Sequence, residues 1–258
     1  MDLDIPRLFA LQDRVNIFEA IIAGLYRAVL RPGDLAVDGG ANEGMHAFPL
    51  AGLVGPAGSV LAFEPIPWRA ETLAHEARER RLPQLRVFAQ ALAERGGAAA
   101  PFHWVRNADG YSGLQPRAYP VVPDVEMLTV PTAALDDAVG DEGRPWRFCK
   151  LDLEGGEFRA LRGGARALGR HRPLVVFECD RADAPRHYGY GPDDFFGLFG
   201  ALGYRLRDLF GRPFAREAWD SPGYPHYFIA LHDAVPDHAR LERELPGILD
   251  RTLAAAAA

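Results

Sequence analysis

Short apolar stretches alternate with helical ones along most of this chain, and that alternation constrains its fold more than any other feature. The stretch "DLAVDGGANEG" (34–44) runs from an apolar strand directly into a glycine-rich turn, and a helical pattern follows it. The same order repeats with "SVLAFEP" (59–65), the helical "WRAETLAHEARERR" (68–81) and "LRVFAQAL" (85–92). Parallel neighbours need crossover helices of this length. The pattern therefore predicts an α/β fold, a doubly wound and mostly parallel sheet with helices on both faces.

The alternation breaks at one place and then resumes. Residues 96–146 hold two extended stretches separated by a segment rich in glycine, proline and tyrosine, which predicts a lid-like insertion between strands 3 and 4. The alternation of strands and helices ends with two further predicted strands, "YRLRDLF" (204–210) and "HYFIALH" (226–232). An irregular loop joins these two strands, so we expect them to be antiparallel.

The composition suits one large domain. With 258 residues, 48% of them hydrophobic and 25% charged, the chain can bury a full-sized core. We therefore expect a single domain across residues 1–258. Besides the insertion, its expected segments are an N-terminal helix (13–30), a cofactor-binding half (33–94), a second half (147–232) and a C-terminal tail (233–258).

Charge and cysteine content limit the partners and the location. A net charge of −6 argues against a nucleic-acid partner or an anionic membrane, because the field of the protein would repel phosphate. Cys149 and Cys179 lie in apolar runs, which indicates core positions rather than a disulfide. No run approaches the ~18 apolar residues of a membrane span, and the N-terminus has acids where a secretory signal has basic residues. We expect a cytoplasmic protein, compatible with a homodimer.

The glycine-rich turn lies where an open parallel sheet binds ligands, beyond the carboxyl end of its first strand. Asp38 ends that strand, and Glu43 adds a second acid to the turn. Carboxylates here would repel the pyrophosphate of a dinucleotide but favour the ammonium and sulfonium of S-adenosylmethionine. Glu64, 20 residues after Gly44, can accept hydrogen bonds from both ribose hydroxyls of either cofactor. An ordinary strand-to-helix turn is the alternative interpretation.

Seven segments extend this pattern: "AVDGGANEG" (36–44), "FEP" (63–65), "ALAERGG" (91–97), "GYSGL" (110–114), "ALDDAV" (134–139), "KLDLEGGEFRALRGG" (150–164) and "PLVVFE" (173–178). In this order they resemble the FkbM family of S-adenosylmethionine-dependent methyltransferases. The resemblance covers residues 33–180. It implies a Rossmann-like sheet of seven strands, one of them antiparallel, and methyl transfer to a hydroxyl of a sugar or secondary metabolite.

The resemblance also implies which residues bind the cofactor. By position they are Asp38, Gly39, Gly40, Asn42 and Gly44 at the methionine end, Glu64 and Pro65 at the ribose, and Gln90 and Ala91 at the adenine. Two positions depart from the usual family pattern. Gly39 stands where a branched apolar residue is commoner, and Gly156 stands where His or Ala is usual, so both bear on the geometry of the site.

Charged residues alternate with leucines in "CKLDLEGGEF" (149–158). On a strand, Lys150, Asp152 and Glu154 would share one face and point into the mouth of the site at the carboxyl end. Methyl transfer to a hydroxyl needs placement, exclusion of water and removal of one proton. We expect Asp152 or Glu154 to take the proton or hold the acceptor. Lys150, the only lysine in the sequence, either stabilises the alkoxide or forms a buried ion pair with Asp152.

Further residues are candidates for the acceptor side. Tyr111 and Ser112 in the insertion suit the wall of a sugar or polyketide site, or simply pack the loop. Glu157 is assigned to the acceptor as well, although an acid in the first turn of a helix also favours the helix dipole. The weaker candidates for a general base are His46, His103, His187 and His226.

A metal site is a second possibility for the same acids. Asp152, Glu154 and Glu178 carry the oxygen ligands that a divalent ion prefers, and such an ion could acidify the acceptor. No spacing of His and Cys supports zinc. We favour a reaction without a metal ion.

Three functions therefore stay open. The favoured one is an S-adenosylmethionine-dependent O-methyltransferase that acts on a small hydroxylated molecule. An NAD-dependent oxidoreductase on a related Rossmann fold would have to place a pyrophosphate beside Asp38. A non-catalytic domain would keep the pocket for a nucleoside cofactor without using it.

Overall fold

A twisted β-sheet runs through the centre of the molecule. The structure is a computed structural model, and it describes residues 9, 11–12, 16–119, 122–140 and 142–256. Its strands in chain order are β1 (Leu35–Gly39), β2 (Ser59–Phe63), β3 (Leu85–Phe88), β4 (Ala91–Leu92), β5 (Ala99–Val105), β6 (Val125–Ala133), β7 (Trp146–Leu151), β8 (Leu174–Glu178), β9 (Tyr204–Asp208) and β10 (Tyr227–His232).

Helices connect most of these strands. They are α1 (Ile17–Val29), α2 (Ala47–Val54), α3 (Pro67–Glu79), α4 (Leu135–Val139), α5 (Glu157–Arg162), α6 (Ala165–His171), α7 (Ala184–Tyr188), α8 (Pro192–Ala201) and α9 (Pro236–Ala256). Two short 3₁₀ turns lie at Asp109–Tyr111 and Arg216–Ala218. In the described part of the chain, no helix has both the length and the apolar character needed to cross a membrane.

The central sheet has seven strands in the order β3-β2-β1-β7-β8-β10-β9. The strands β3, β2, β1, β7 and β8 are parallel to one another, while β10 runs antiparallel to both β8 and β9. This confirms the predicted Rossmann-like sheet with one antiparallel strand. The strand order reverses between β1 and β7, and ligands bind at such a point, beyond the carboxyl ends of the strands.

Apolar layers cover both faces of the sheet, as predicted. On one face, α2 packs against β1 and β2, α1 against β7, and α9 against α1 and β10, through buried side chains such as Phe18, Ile22 and Leu50. On the other face, α4, α5, α6 and α8 pack through Leu135, Phe158 and Phe195 with their neighbours. Strands buried on both faces read as continuous apolar runs, which is why the sequence pattern identified them.

Two strands of the insertion, β5 and β6, form a small second sheet with β4, which precedes the insertion, in the order β4-β6-β5. Strands β5 and β6 pair antiparallel from Ala99 with Pro131 to Val105 with Val125, and β4 joins β6 in parallel. The predicted insertion, 96–146, is too long at its end. Leu135 and Val139 of α4 are buried in the core of the main fold, so the inserted unit ends near Ala133.

Two predicted segments at the termini also need correction. The N-terminal helix, predicted for 13–30, spans Ile17–Val29, and residues 13–15 lie outside the described part. The predicted tail, 233–258, is instead mostly the 21-residue helix α9. Pro246 interrupts the helical pattern in the sequence of α9. Leu241, Leu245 and Ile248 nevertheless lie on one side of the helix, and that side is buried in the same apolar layer as Phe18 and Leu50.

We expect α9 to contribute directly to the stability of the domain. Leu245→Ala removes a fully packed side chain that touches Gly211, so the free energy of unfolding should fall by about 2–5 kcal/mol in urea denaturation. The matched control is Glu244→Ala at the preceding, exposed position, with a change below about 0.5 kcal/mol. Equal midpoints for the two variants would mean that α9 is not part of the core.

Candidate functional site

A cleft of about 430 Å³ opens at the point where the strand order of the sheet reverses. Its walls come from the turn after β1, the ends of β2 and β7, and the insertion. Of the nine residues predicted to bind the cofactor, those that line the cleft are Gly40, Asn42, Glu64, Pro65, Gln90 and Ala91. The sequence therefore located this cavity from segments that are far apart in the chain.

The glycine turn brings two loops into close approach. Gly40 has a φ of 74°, and a Cβ at this position would overlap the carbonyl oxygen of Asp152. Only glycine combines this backbone conformation with such an approach. Asn42 also adopts a left-handed conformation, with a φ of 45°, and its amide N–H points at Glu64. The turn thus forms a backbone cradle at the floor of the cleft.

Two glycines predicted to line the cofactor lie beneath the turn instead. The space beside Gly39 is filled by the side chains of Leu92 and Leu151, so a branched residue there would overlap them. Gly44, with a φ of 83°, packs against Phe48 and Leu73. Both glycines shape the cleft without forming its surface, which corrects the prediction that they contact the cofactor.

Glu64 is a buried carboxylate held at the wall of the cleft. Its Oε2 accepts a hydrogen bond from the Asn42 amide at 2.9 Å, and its Oε1 accepts one from the Ile66 amide at 2.9 Å. Burial raises the pKa of Glu64, and these two hydrogen bonds oppose that rise. Each oxygen keeps a lone pair for a further donor. The fixed carboxylate can therefore accept two hydroxyl groups of a ribose.

Lys150 forms the centre of a buried charge cluster. It lies in register with Asp38 on the neighbouring strand, and its ammonium is 3.8 Å from Asp38 Oδ1 and 3.4 Å from Asp152 Oδ2. Burial alone would lower the pKa of Lys150, but attraction to Asp152 and Asp38 raises it above its ordinary value. The lysine is therefore a permanent cation between two carboxylates.

Asp38 does not contact the cleft directly, contrary to the prediction. Its side chain is 1% exposed and lies behind Lys150, and among the described residues neither carboxylate oxygen has a hydrogen-bond partner. Burial raises the pKa of Asp38, and attraction to the Lys150 ammonium opposes that rise. The carboxylate of Asp38 therefore serves mainly to balance the charge of Lys150.

The charged row does not continue along one strand face, as the alternation had predicted. Strand β7 ends at Leu151, and the chain then turns through Glu154 with a φ of 53° and Gly155 with a φ of 100°. Glu154 consequently forms an ion pair with Arg117 of the insertion, while Asp152 stays beside Lys150. The carboxylates of the two acids still lie within 4.8 Å of each other, but of these two acids it is Asp152 that pairs with the lysine.

Asp152 is the charged residue best placed for chemistry. Its side chain is 24% exposed and lines the cleft, and its Oδ2 accepts a hydrogen bond from the Tyr227 hydroxyl at 2.8 Å. Burial opposes ionisation, but Lys150 and Tyr227 outweigh it and lower the pKa of Asp152 below its ordinary value. The carboxylate is therefore ionised at neutral pH and can accept a hydrogen bond from an acceptor hydroxyl.

The acids of the possible metal site do come together. One oxygen each from Asp152, Glu154 and Glu178 lies within 4.8 Å of the others, a spacing that a divalent ion can bridge. Burial and repulsion by Asp152 raise the pKa of Glu178 well above its ordinary value. Since Arg117 already pairs with Glu154, a metal ion here would have to compete with a guanidinium.

A second cleft, of about 1000 Å³, adjoins the first and shares Asp152 and Glu154 with it. Aromatic side chains of Tyr111, Tyr224 and Tyr227 contribute to its walls. Asp152 lines both cavities, so its carboxylate is accessible from either side. Tyr111 therefore lies where the sequence predicted an acceptor wall.

The other two predicted acceptor residues have different positions. Ser112 lines the first cleft, and its Oγ accepts a hydrogen bond from the Val105 amide at 3.0 Å. Glu157 is 3% exposed and belongs to the wall of neither cleft. Its Oε1 accepts hydrogen bonds from the amides of Leu153 at 2.6 Å and Gly155 at 3.3 Å. Glu157 thus holds the loop after β7, which corrects its assignment to the acceptor.

Arg69 ties the insertion to the glycine turn and was missed in the sequence. Its Nε donates a hydrogen bond to Asp109 Oδ2 at 2.9 Å, and its Nη1 donates one to Asn42 Oδ1 at 2.7 Å. Trp104 supports the same carboxylate through its indole N–H at 2.9 Å. These contacts hold the insertion over the mouth of the cleft.

Glu19 and Tyr227 were also missed. Glu19 lies on α1 and lines both clefts, and Tyr227 begins the last strand of the sheet. The signal for Glu19 was weak: it is an acid among the apolar residues of "IFEAIIAGLY". Among the candidate histidines, His46 lines the first cleft and His226 the second, while His187 pairs with Asp183 on its own helix.

Comparison with protein families gives a match that spans most of the central sheet. The family model described as the Methyltransferase FkbM domain matches residues 38–206. No curated protein matches the chain. The matched range begins at the last residues of β1 and includes both the glycine turn and the loop that carries Asp152.

Solved structures with the same general architecture are distant in sequence. An FkbM methyltransferase from Methylobacillus flagellatus KT is 18% identical with a TM-score of 0.45, covering 88% of this chain and 58% of its own. An rRNA methylase from Streptococcus thermophilus is 12% identical with a TM-score of 0.44, and the match covers 82% of this chain and 93% of that protein. A SAM-dependent O-methyltransferase from Thermotoga maritima is 13% identical with a TM-score of 0.38, and the match covers 82% of this chain and 62% of that protein. With TM-scores below 0.5, these likenesses carry no argument about function. The chain spans 58% of the length of the M. flagellatus protein.

The close approach at Gly40 makes a quantitative prediction. Gly40→Ala and Gly97→Ala both place a Cβ at a similar positive φ, 74° and 80°, which costs about 1–2 kcal/mol. Open space surrounds Gly97, whereas Gly40 faces the Asp152 carbonyl, so overlap should cost Gly40→Ala about 1–3 kcal/mol more. Urea denaturation measures the difference. Equal losses in the two variants would show that the two loops are not in contact.

Proposed function

The chain belongs to the FkbM methyltransferase family, and from this premise we propose that it transfers a methyl group from S-adenosylmethionine to a hydroxyl oxygen of a small molecule. The observation that carries the proposal is the position of Asp152. This ionised carboxylate lies where the cleft built by the glycine turn meets the larger aromatic cleft.

The first cleft has features that fit S-adenosylmethionine. Glu64 offers a fixed carboxylate to the ribose hydroxyls, and Gln90 and Ala91 lie on the wall beyond it, toward the adenine. The turn around Gly40 and Asn42 lines the part of the cleft where the methionine end would lie. The ionised Asp152, with Glu43 and Glu64 on the same walls, supports binding of an ammonium and a sulfonium, and the pyrophosphate of NAD would meet repulsion there. An NAD-dependent oxidoreductase is therefore the weaker candidate.

The chemistry assigned to the protein is placement and proton removal. When bound, S-adenosylmethionine supplies the methyl group: a bond forms between the acceptor oxygen and the methyl carbon, and the electron pair of the broken carbon–sulfur bond stays on sulfur. Asp152 orients the acceptor hydroxyl through a hydrogen bond and takes its proton. Lys150 keeps Asp152 ionised before the reaction, and the insertion held by Arg69 excludes water.

The second cleft supports an acceptor with a ring and several hydroxyl groups. Its aromatic walls can stack on the faces of a sugar or of an aromatic metabolite, and its acids and Arg117 can bind hydroxyl groups. The net charge of the chain disfavours nucleic acid as the acceptor. A homodimer and a cytoplasmic location stay predictions.

Binding measurements test the choice of cofactor. In isothermal titration calorimetry, S-adenosylmethionine and S-adenosylhomocysteine should bind and NAD should not. Glu64→Gln should weaken S-adenosylhomocysteine about 10- to 100-fold, since it removes a charged hydrogen-bond acceptor. Glu71→Gln, on the exposed side of α3, is the matched control and should bind like the unsubstituted protein. Binding of NAD without either sulfur compound would reject the proposal.

Turnover tests the role of Asp152. Methyl glycosides and hydroxylated aromatic compounds serve as acceptors, and release of S-adenosylhomocysteine together with the mass of the methylated product reports the reaction. Asp152→Asn should lower turnover at least about 100-fold while S-adenosylhomocysteine still binds. Asp193→Asn, an exposed acid on α8, is the control. Unchanged turnover in Asp152→Asn would leave this residue a structural role only.

A further inference from the structure

The second cleft carries more carboxylates than it has cations to balance them. The basic side chains on its described wall are Arg117 and Arg181, with His226 beside them. Burial lowers the pKa of His226, so its imidazole is uncharged at neutral pH. Lys150 lies behind Asp152 and is shared with Asp38. The acids on the same wall are Glu19, Asp152, Glu154, Glu178, Asp180 and Asp220.

Both arginines already bind parts of the protein itself. Arg117 forms ion pairs with Glu154 and, at 3.3 Å, with Asp180. Arg181 donates hydrogen bonds to backbone carbonyl oxygens of the loop between β9 and β10, the closest of them that of Trp219 at 2.7 Å. An acceptor with a negative charge would have to displace one of these contacts and would meet the surplus acids.

Glu178 shows where a positive charge is missing. It ends β8 opposite Tyr227 of β10, and one of its oxygens lies within 4.8 Å of an oxygen of Asp152 and one of Glu154. Its Oε2 is buried, and among the described residues no group donates a hydrogen bond to that oxygen. Burial raises the pKa of Glu178 well above its ordinary value, and repulsion by Asp152 adds to the rise. A cation in the cleft beside Glu178 would relieve this repulsion.

An ammonium group fits this wall better than a hydroxyl does. A hydroxyl can donate a hydrogen bond to an acid but cannot balance its charge, whereas an ammonium has several donors and a full positive charge. Aromatic rings also attract cations. The guanidinium of Arg117 already lies 5.4 Å from the centre of the Tyr111 ring, and Tyr224 lines the same cleft.

On the basis of the proposed function, we propose that the second cleft takes an acceptor that carries a protonated amine as well as the hydroxyl to be methylated. Amino sugars and hydroxylated aromatic amines belong to this class. The ammonium lies beside Glu178 and the neighbouring acids, while the hydroxyl reaches Asp152. A protonated nitrogen has no lone pair to attack the methyl carbon, so the methyl group goes to oxygen.

Calorimetry with matched pairs of compounds tests this preference. Methyl glucosaminide is compared with its N-acetyl derivative, and tyramine with N-acetyltyramine, because acetylation removes the charge of the amine. Each amine should bind at least about tenfold tighter than its acetylated partner, which is the effect of one charged hydrogen bond. Glu178→Gln should reduce that preference at least about threefold, because the amide keeps the shape and cannot carry the charge. Glu71→Gln, at an exposed position of α3, is the control and should keep the preference.

Equal affinities within both pairs would overturn the inference, and so would a preference that Glu178→Gln leaves unchanged. Magnesium chloride is titrated in parallel. Binding of magnesium that is lost in Glu178→Gln, without a preference for the amines, would assign these acids to a metal ion instead. If Glu178→Gln does not fold, Asp220→Asn on the same wall replaces it.

The two proposals fail in different ways. The pairs are measured with and without S-adenosylhomocysteine, which is also titrated alone. Absence of S-adenosylhomocysteine binding would reject the proposed function, whereas equal affinities within the pairs on protein that binds it would reject only the charged acceptor.

Discussion

The contact between Lys150 and its two carboxylates is the interaction on which the site depends. Asp38 and Lys150 occupy paired positions on β1 and β7, and Asp152 follows two residues after the lysine. Burying an isolated charge costs several kcal/mol, so each of the three requires the others. Strands β1 and β7 flank the point where the strand order reverses, so the ion pairs lie at the base of the first cleft, and Asp152 reaches the second cleft as well.

The rest of the site adds functions to this centre. Glu64 and the turn around Gly40 form a rigid cradle on one side of Asp152, and the aromatic cleft lies on the other. The insertion is attached through Arg69, so the part of the molecule that borders the mouth of the first cleft is connected to the turn that forms its wall. Placement of two reactants at one ionised carboxylate is the kind of catalysis that a methyl transfer requires.

Local patterns in the sequence predicted most of the fold and half of the site. Apolar strands with helical spacers identified the parallel sheet, and the turn around Gly40 with Glu64 pointed to a cleft that both residues line. The left-handed conformation of Glu154 was not predictable, since alternation alone cannot show where a strand ends. Glu19 and Tyr227 could not be assigned because they reach Asp152 only through tertiary packing of α1 and β10. The tail was misjudged because Pro246 masks a helical pattern.

The affinity of a Lys150→Arg variant for S-adenosylhomocysteine tests the central claim most directly. A planar guanidinium is larger than the ammonium it replaces and cannot fit between Asp38 and Asp152 without moving one of them. We expect binding to weaken at least about tenfold by calorimetry, while Arg147→Lys, the reverse exchange at an exposed position of the same strand, leaves it within about twofold. Equal affinity in the two variants would contradict the account, because Lys150 would then be an interchangeable cation.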